Sequence, residues 1–391
     1  MQFPWTDWIP GVLNKEQLRQ LCQEGFVTGV NKPDEAIDLS SINLSLSEDG
    51  FEMREGSIKP SSHPQYEHLL TNKILAKKLD PSEDGSFLLS AKCTYVFKLR
   101  EKLSPRLLEH QFYGQATAKS SVGRVDVLAR LIADGMDTYE GFDPKNKPTG
   151  ALLLEITPIT FDVRVMPGTS LSQLRLFYGA PQDVRVRSKE LYETVLEGPG
   201  EADGTLSVDL ENEKIGGLDV AAFCAAGIKQ GSEPIPLWKG QKRPDPCKHW
   251  RFKKASGDRL KIEHELFYIL RSKERIAVPS GIAVYCRASD ETIGEMRIHY
   301  AGFVHPWFGR KRPDGQKGTP LIFEVRGHQV NVNLTHGEKM AKLIFYRMSQ
   351  DAAPEMSEYG SQTLKLSKFF DEWPNKLKGN SDGAVEAVES K

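Results

Sequence analysis

The 391-residue chain lacks the charge excess, the long apolar runs and the paired cysteines that define several protein classes. Its 52 basic and 53 acidic residues leave a formal net charge of −1. No overall field therefore recruits nucleic acid or an anionic membrane. No apolar stretch reaches the ~20 residues that a membrane helix needs. The first ten residues, MQFPWTDWIP, lack the basic start and long apolar core of a signal peptide. Cys22, Cys93, Cys224, Cys247 and Cys286 are scattered and form no C-x-x-C pair. They read as reduced thiols, and the expected compartment is the cytoplasm.

What is present is ordinary globular material: 39% hydrophobic and 27% charged residues, in a length that favours two domains. The run from Gly11 to Gly25 predicts a short helix, with Asn14 as N-cap, Gln17 completing a capping box, Leu13 and Leu18 as a staple and Gly25 ending it. Ile37–Ser47 alternates at period two and predicts a strand. Tyr66–Leu79 predicts a helix, and Phe87–Leu99 and Leu152–Gly179 predict strands, the latter around a turn at Met166-Pro167-Gly168. The Gly198–Gly204 stretch reads as a linker. Domains are expected at 1–200 and 201–376, followed by a disordered tail at 377–391.

The second half repeats the first. LLLEITP from Leu152 returns as LIFEVRG from Leu321, so Glu155 matches Glu324 at a spacing of 324 − 155 = 169. Gly168 and Gly337, and Leu174 and Leu343, keep that spacing. Ser41-Ile42-Asn43-Leu44 is also read against Ser207-Val208-Asp209-Leu210. A duplicated, mainly β domain with a few short helices follows, because a repeat constrains a fold more than local propensity does.

Two stretches carry chemistry. Lys119–Arg124 (KSSVGR) places two hydroxyls and two cations within six residues, a grouping able to converge on an anion, though a helix cap with a surface arginine would look the same. Glu155 lies in an apolar strand where desolvation would raise its pKa for acid–base work. The plain alternative, an outward residue of a half-buried strand, weakens because glutamate recurs at 324. His336-Gly337-Glu338 matches the H-x-E of zinc deaminases, but it falls on the repeat's turn, and Trp250 stands where a second cysteine would follow Cys247. A zinc site is not expected. The basic run Lys239–Lys254, with Trp250 and Phe252, is read as a solvated loop entering a strand rather than a nucleic-acid surface. His299, His305 and His328 show no repeating ligand spacing and are read as ordinary structure or pocket lining.

These segments, together with GVLNKEQL, LSSINLSL, AKSSVGRVDV, FYILRSKERIAVP and GEMRIHYAGF, resemble the dCTP deaminases of the dCTP deaminase/dUTPase superfamily, in their double-length bacterial branch. The resemblance spans about Gly11 to Lys368. It implies a duplicated β-clip, a dUTPase-like distorted barrel, in a homo-oligomer with sites between halves or between chains. It implies metal-independent deamination of dCTP to dUTP and ammonia, supplying dTTP synthesis, with dTTP as a possible inhibitor. Mg2+ would accompany the triphosphate, and no zinc would be used. The family's water-activating glutamate maps onto Glu155, with Glu324 as a second catalytic residue or a relic. Ser120 and Arg124 map onto the residues that hold the base and the developing charge. Lys119 and Ser121 sit where triphosphate is contacted, Arg297 is retained in the second half, and Tyr359 with Gln362 resembles a tail that folds over nucleotide.

The chain also departs from the family's pattern. Asn43 stands where Asp is usual, and the family's D-P-G turn is Asp143-Pro144-Lys145 in one half and His305-Pro306-Trp307 in the other. These departures keep two other expectations open: a dUTP diphosphatase or bifunctional enzyme, and a catalytically silent nucleotide-binding regulator.

Overall fold

The structure, a computed structural model, describes residues 5–63, 65–197, 203–227, 233–288, 296–299, 302–310, 318–354 and 363–388. Two eleven-stranded, mainly antiparallel sheets form the two halves. The described helices are short, the longest being Lys15–Gln23. Its N-terminus follows the expected chemistry. The Asn14 side chain accepts from the Gln17 amide while the Gln17 side chain accepts from the Asn14 amide, each at 3.0 Å.

The repeat is legible in the pairing of strands. In the first half Ser170–Tyr178 lies between Ser41–Met53 and Phe112–Ala118. In the second half Lys339–Arg347 lies between Thr205–Asp209 and Ile282–Ala288. Ala151–Pro158 pairs with Thr94–Leu103 and Val127–Ala133, and its counterpart Thr319–Gly327 pairs with Phe267–Ile276 and Met296–His299. Both repeats turn on a left-handed glycine, Gly168 at φ 86° and Gly337 at φ 81°, which any β-carbon would strain. The H-x-E motif is therefore part of a turn.

Four expectations need correcting. The Tyr66–Leu79 segment is helical only over Tyr66–Thr71, because Ala76–Lys78 pairs with the Ser41–Met53 strand instead. The SINL/SVDL match slips by four residues: Ser45 and Ser207 are the equivalents, since each donates its amide to a buried glutamate, Glu101 and Glu274, at 2.8 and 2.7 Å. The boundary between halves lies near 180, not 200. Arg185–Val186 and Leu196–Glu197 already pair with second-half strands, and Val195 is in that half's core. Most of the tail is ordered: Leu377–Gly379 and Val385–Ala387 make a hairpin that buries Leu377 and Val385. Its low complexity hid the fact that two apolar residues suffice when a neighbouring surface receives them. Most of the proposed linker, 198–202, lies outside the described residues.

The halves do not merely touch. Val163–Val165 forms a sheet with Phe87–Leu89 from its own half and Ile235–Pro236 from the other. Phe161 packs on Trp250 and Phe370, with centroids 5.7 and 6.2 Å apart. Trp250 and Phe252, the aromatics of the basic run, are thus core residues and not a stacking platform. An ion pair from Asp126 to Arg326, with Asp126 fully buried, crosses the same boundary. Removing either partner would strand a charge, so this boundary is a fixed one.

Candidate active site

The strand Phe112–Ala118 ends at Ala118, and the chain turns through the four-residue helix Ser120–Gly123. Val122 points into the core and anchors the turn, and Lys119 accepts the Val122 and Gly123 amides at 2.8 and 3.1 Å. Val122's anchorage leaves Lys119, Ser120, Ser121 and Arg124 on the wall of a cavity of about 490 Å3. That volume lies in the range of small-ligand sites. The opposite wall comes from the second half: Cys286, Phe303, His305, Phe308 and Glu324. The cavity is therefore built between the two halves.

The two matched glutamates have different fates. Glu155 does not line the cavity. It is 1% exposed because the segment around helix Tyr66–Thr71 covers the strand's second face, where Leu153 packs with Tyr66 and Leu70. Its carboxylate is fully engaged: Arg130 holds Oε1 from the adjacent strand, and Ser57 and Tyr139 donate to Oε2 at 2.7 and 3.0 Å. Arg130 also stacks 4.0 Å over the Tyr139 ring.

Glu324 does line the cavity, along with Ser120 and Arg124. Its cross-strand neighbour, at the position of Arg130, is His299. Burial pushes the Glu324 carboxyl up to about 8, while the Arg124 charge pulls the other way. At neutral pH such a group both accepts and returns a proton readily.

The rest of the cavity is cationic. Lys15, Lys119, Lys239, Arg287 and Lys368 line it, with Asp34, Glu35 and Asp38 nearby on its wall. Lys119 donates to Asn43 at 2.8 Å, so the amide that departs from the family's Asp serves as a neutral acceptor. Burial, then the charges of Lys368 and Lys239, lower the Lys119 pKa to about 8. Lys239 and Lys368 are exposed, but their charges bear on the more enclosed Lys119, a cost that a polyanion would relieve. The C-terminal stretch closes one side: Ser367 donates to the Ser121 carbonyl at 2.6 Å, and Arg124 to the Lys365 carbonyl at 3.4 Å.

Arg297 is exposed on its strand and does not line the cavity. Tyr359 and Gln362 lie outside the described residues. Among the described residues no three His, Cys, Asp or Glu gather as metal ligands. Sequence reasoning missed Lys15, Asp38, Gln173 and Lys239 as cavity residues. They come from separate segments: Lys239 opens the basic run read as a solvated loop, Gln173 is the strand partner of Asn43 and could have been found from the register, and Lys15 and Asp38 carry no local signature.

A family model of the N-terminal domain of 2'-deoxycytidine 5'-triphosphate deaminase matches residues 9–180, and one of its C-terminal domain matches residues 184–370. Among solved structures, the 2'-deoxycytidine 5'-triphosphate deaminase from Agrobacterium tumefaciens superposes with a TM-score of 0.77 at 27% identity, over 88% of this chain and 97% of that one. A search of curated proteins finds no match.

Proposed function

The chain belongs to the 2'-deoxycytidine 5'-triphosphate deaminase family, and we propose that it converts dCTP and water to dUTP and ammonia in the cavity between its halves. The observation that carries this is the meeting of Glu324 with Ser120 and Arg124 from the other half in one cavity. Glu324, rather than Glu155, is the reacting carboxylate. Glu155 is occupied by Arg130, Ser57 and Tyr139 and faces no cavity wall shared with Ser120.

Glu324 takes a proton from water as the oxygen bonds to C4 of cytosine, and delivers that proton to N3. The tetrahedral intermediate then loses its hydroxyl proton, through Glu324, to the amino group. Ammonia leaves, C4=O forms, and Glu324 is again a carboxylate. A carboxyl titrating near 8 suits both directions of transfer. Arg124 and the Ser120 hydroxyl hold the water and the charge that develops at C4. Lys119, Lys239 and Lys368 take the triphosphate, relieving their mutual repulsion. Mg2+ would accompany the triphosphate as part of the substrate, bound through the phosphate oxygens, with Asp38 on the cavity wall as an oxygen ligand of the kind it takes. The carboxyl of Glu324 activates the water, the task that zinc has in other deaminases, and also moves the proton, as a glutamate does in both. The dUTP produced feeds dTTP synthesis, and dTTP, a triphosphate of similar shape, is a candidate inhibitor at the same cavity.

The test is to incubate the protein with dCTP and magnesium, with and without a zinc chelator, and to resolve the products by chromatography. Chelator-insensitive dUTP with equal ammonia is the expected result. Pyrophosphate and dUMP would make the enzyme bifunctional. Bound but intact dCTP would overturn the assignment in favour of a silent nucleotide-binding regulator.

A further inference from the structure

Arg175 lies on the Ser170–Tyr178 strand of the first half and has no exposed surface. No carboxylate pairs with it among the described residues. It donates instead to the Val284 carbonyl at 3.1 Å and to Ser40 Oγ at 3.4 Å, both buried, and its guanidinium sits 3.9 Å over the Phe303 ring. Val284 and Phe303 belong to the second half, so the side chain reaches across the boundary. A buried cation held only by neutral groups is costly to keep. Its contacts lead to the cavity wall, of which Phe303 and His305 are part.

The Ser40 hydroxyl is the link. Ser40 Oγ also lies 2.9 Å from His305 Nδ1. Arginine can only donate, so Ser40 accepts from Arg175 with one lone pair, and its single proton is free to turn toward His305. With that proton aimed at a neutral ring, Nδ1 accepts and the ring proton sits on Nε2, the nitrogen 3.8 Å from Asp38 Oδ2. We propose that Arg175 is a positioning residue which, through Ser40, fixes His305 as the Nε2–H tautomer and so presents a hydrogen-bond donor to the nucleotide, while its stacking on Phe303 holds the adjacent wall. Neither Arg175 nor Ser40 lines the cavity. The proposal rests on the cavity being the nucleotide site, but its first half concerns the free protein alone.

The experiment is 15N NMR of histidine-labelled, full-length protein, with His305→Gln to assign the ring signals, alongside kinetics of Ser40→Ala and Arg175→Met. In the wild type, His305 should show a pure Nε2–H pattern without nucleotide. Ser40→Ala should shift that pattern and raise KM for dCTP about 3–10-fold, with kcat changed less than twofold. Arg175→Met, close in volume, should do the same. If Arg175→Met fails to fold, Ser40→Ala alone decides. A wild-type Nδ1–H pattern, or a Ser40→Ala protein with unchanged KM, would overturn the proposal. Because the tautomer is read without substrate, loss of the deaminase assignment would leave the Arg175–Ser40–His305 relay separately testable.

Discussion

Replacing each matched glutamate by glutamine should give opposite signatures in activity and stability. If Glu324 moves the proton as proposed, Glu324→Gln should lower turnover by at least about 100-fold, the low end for general acid–base catalysis. It should not destabilise the fold. Burial holds the carboxyl near 8 in place of its ordinary 4.5, so the native state binds the extra proton between those values. Wild-type stability therefore falls as pH rises from about 4.5 to about 8, by on the order of 5 kcal/mol when the last proton is gone. Glutamine is neutral throughout. The variant should have a wild-type Tm near pH 5 and a higher Tm than wild type at pH 8. Glu155→Gln should do the reverse. It loses the Arg130 ion pair, whose arginine is 37% exposed and so partly screened, and keeps only part of the Ser57 and Tyr139 bonding. A loss of roughly 1–3 kcal/mol and little change in kcat are expected. Calorimetry at the two pH values, with steady-state ammonia release, gives all four numbers. A dead Glu155→Gln beside an active Glu324→Gln would refute the reasoning.

Other expectations follow from the cavity's cations and from the boundary between halves. Arg124→Lys should lower kcat at least about 10-fold, because a point charge cannot hold water and the developing charge as a planar fork does; isothermal titration should show dCTP still binding. Lys119→Met should raise KM for dCTP about tenfold or more and affect dCMP far less. Because the Lys119 pKa is lowered to about 8, wild-type dCTP affinity should weaken as pH climbs through 8 while the free lysine loses its charge. Titrations between pH 7 and 9.5 read this, and a flat profile would count against a phosphate role. Asp126→Ala should cost about 3–5 kcal/mol by stranding Arg326 at the boundary, whereas Asp126→Ala with Arg326→Met should recover most of the loss in denaturant unfolding.

Much of the protein is determined locally and so can be read without coordinates. Period-two alternation and matched glycine turns at 168 and 337 are short-range facts, and they identify two β-rich repeats. The reciprocal capping of Asn14 and Gln17 lies within four consecutive residues and reads directly. The KSSVGR turn likewise carries its own instructions, since a buried Val122 is enough to leave its polar neighbours on the surface of a cavity. The resemblance to a deaminase family rests on these same local stretches.

Which glutamate shares a cavity with the KSSVGR turn is decided differently. LLLEITP and LIFEVRG are equivalent as sequences, and each offers one carboxylate between apolar flanks. Nothing within either stretch records that Glu155 meets Arg130, Ser57 and Tyr139 under a covering helix, while Glu324 is turned toward Arg124 of the other half. The cationic end of the cavity has the same origin, with Lys15, Lys119, Lys239 and Lys368 separated by scores of residues or more and drawn together only by packing. The Arg175–Ser40–His305 relay likewise spans two halves. Sequence alone fixed the parts and their repetition. Their partnership was decided by how one half seats on the other, because burial and charge pairing depend on distance in space and not along the chain.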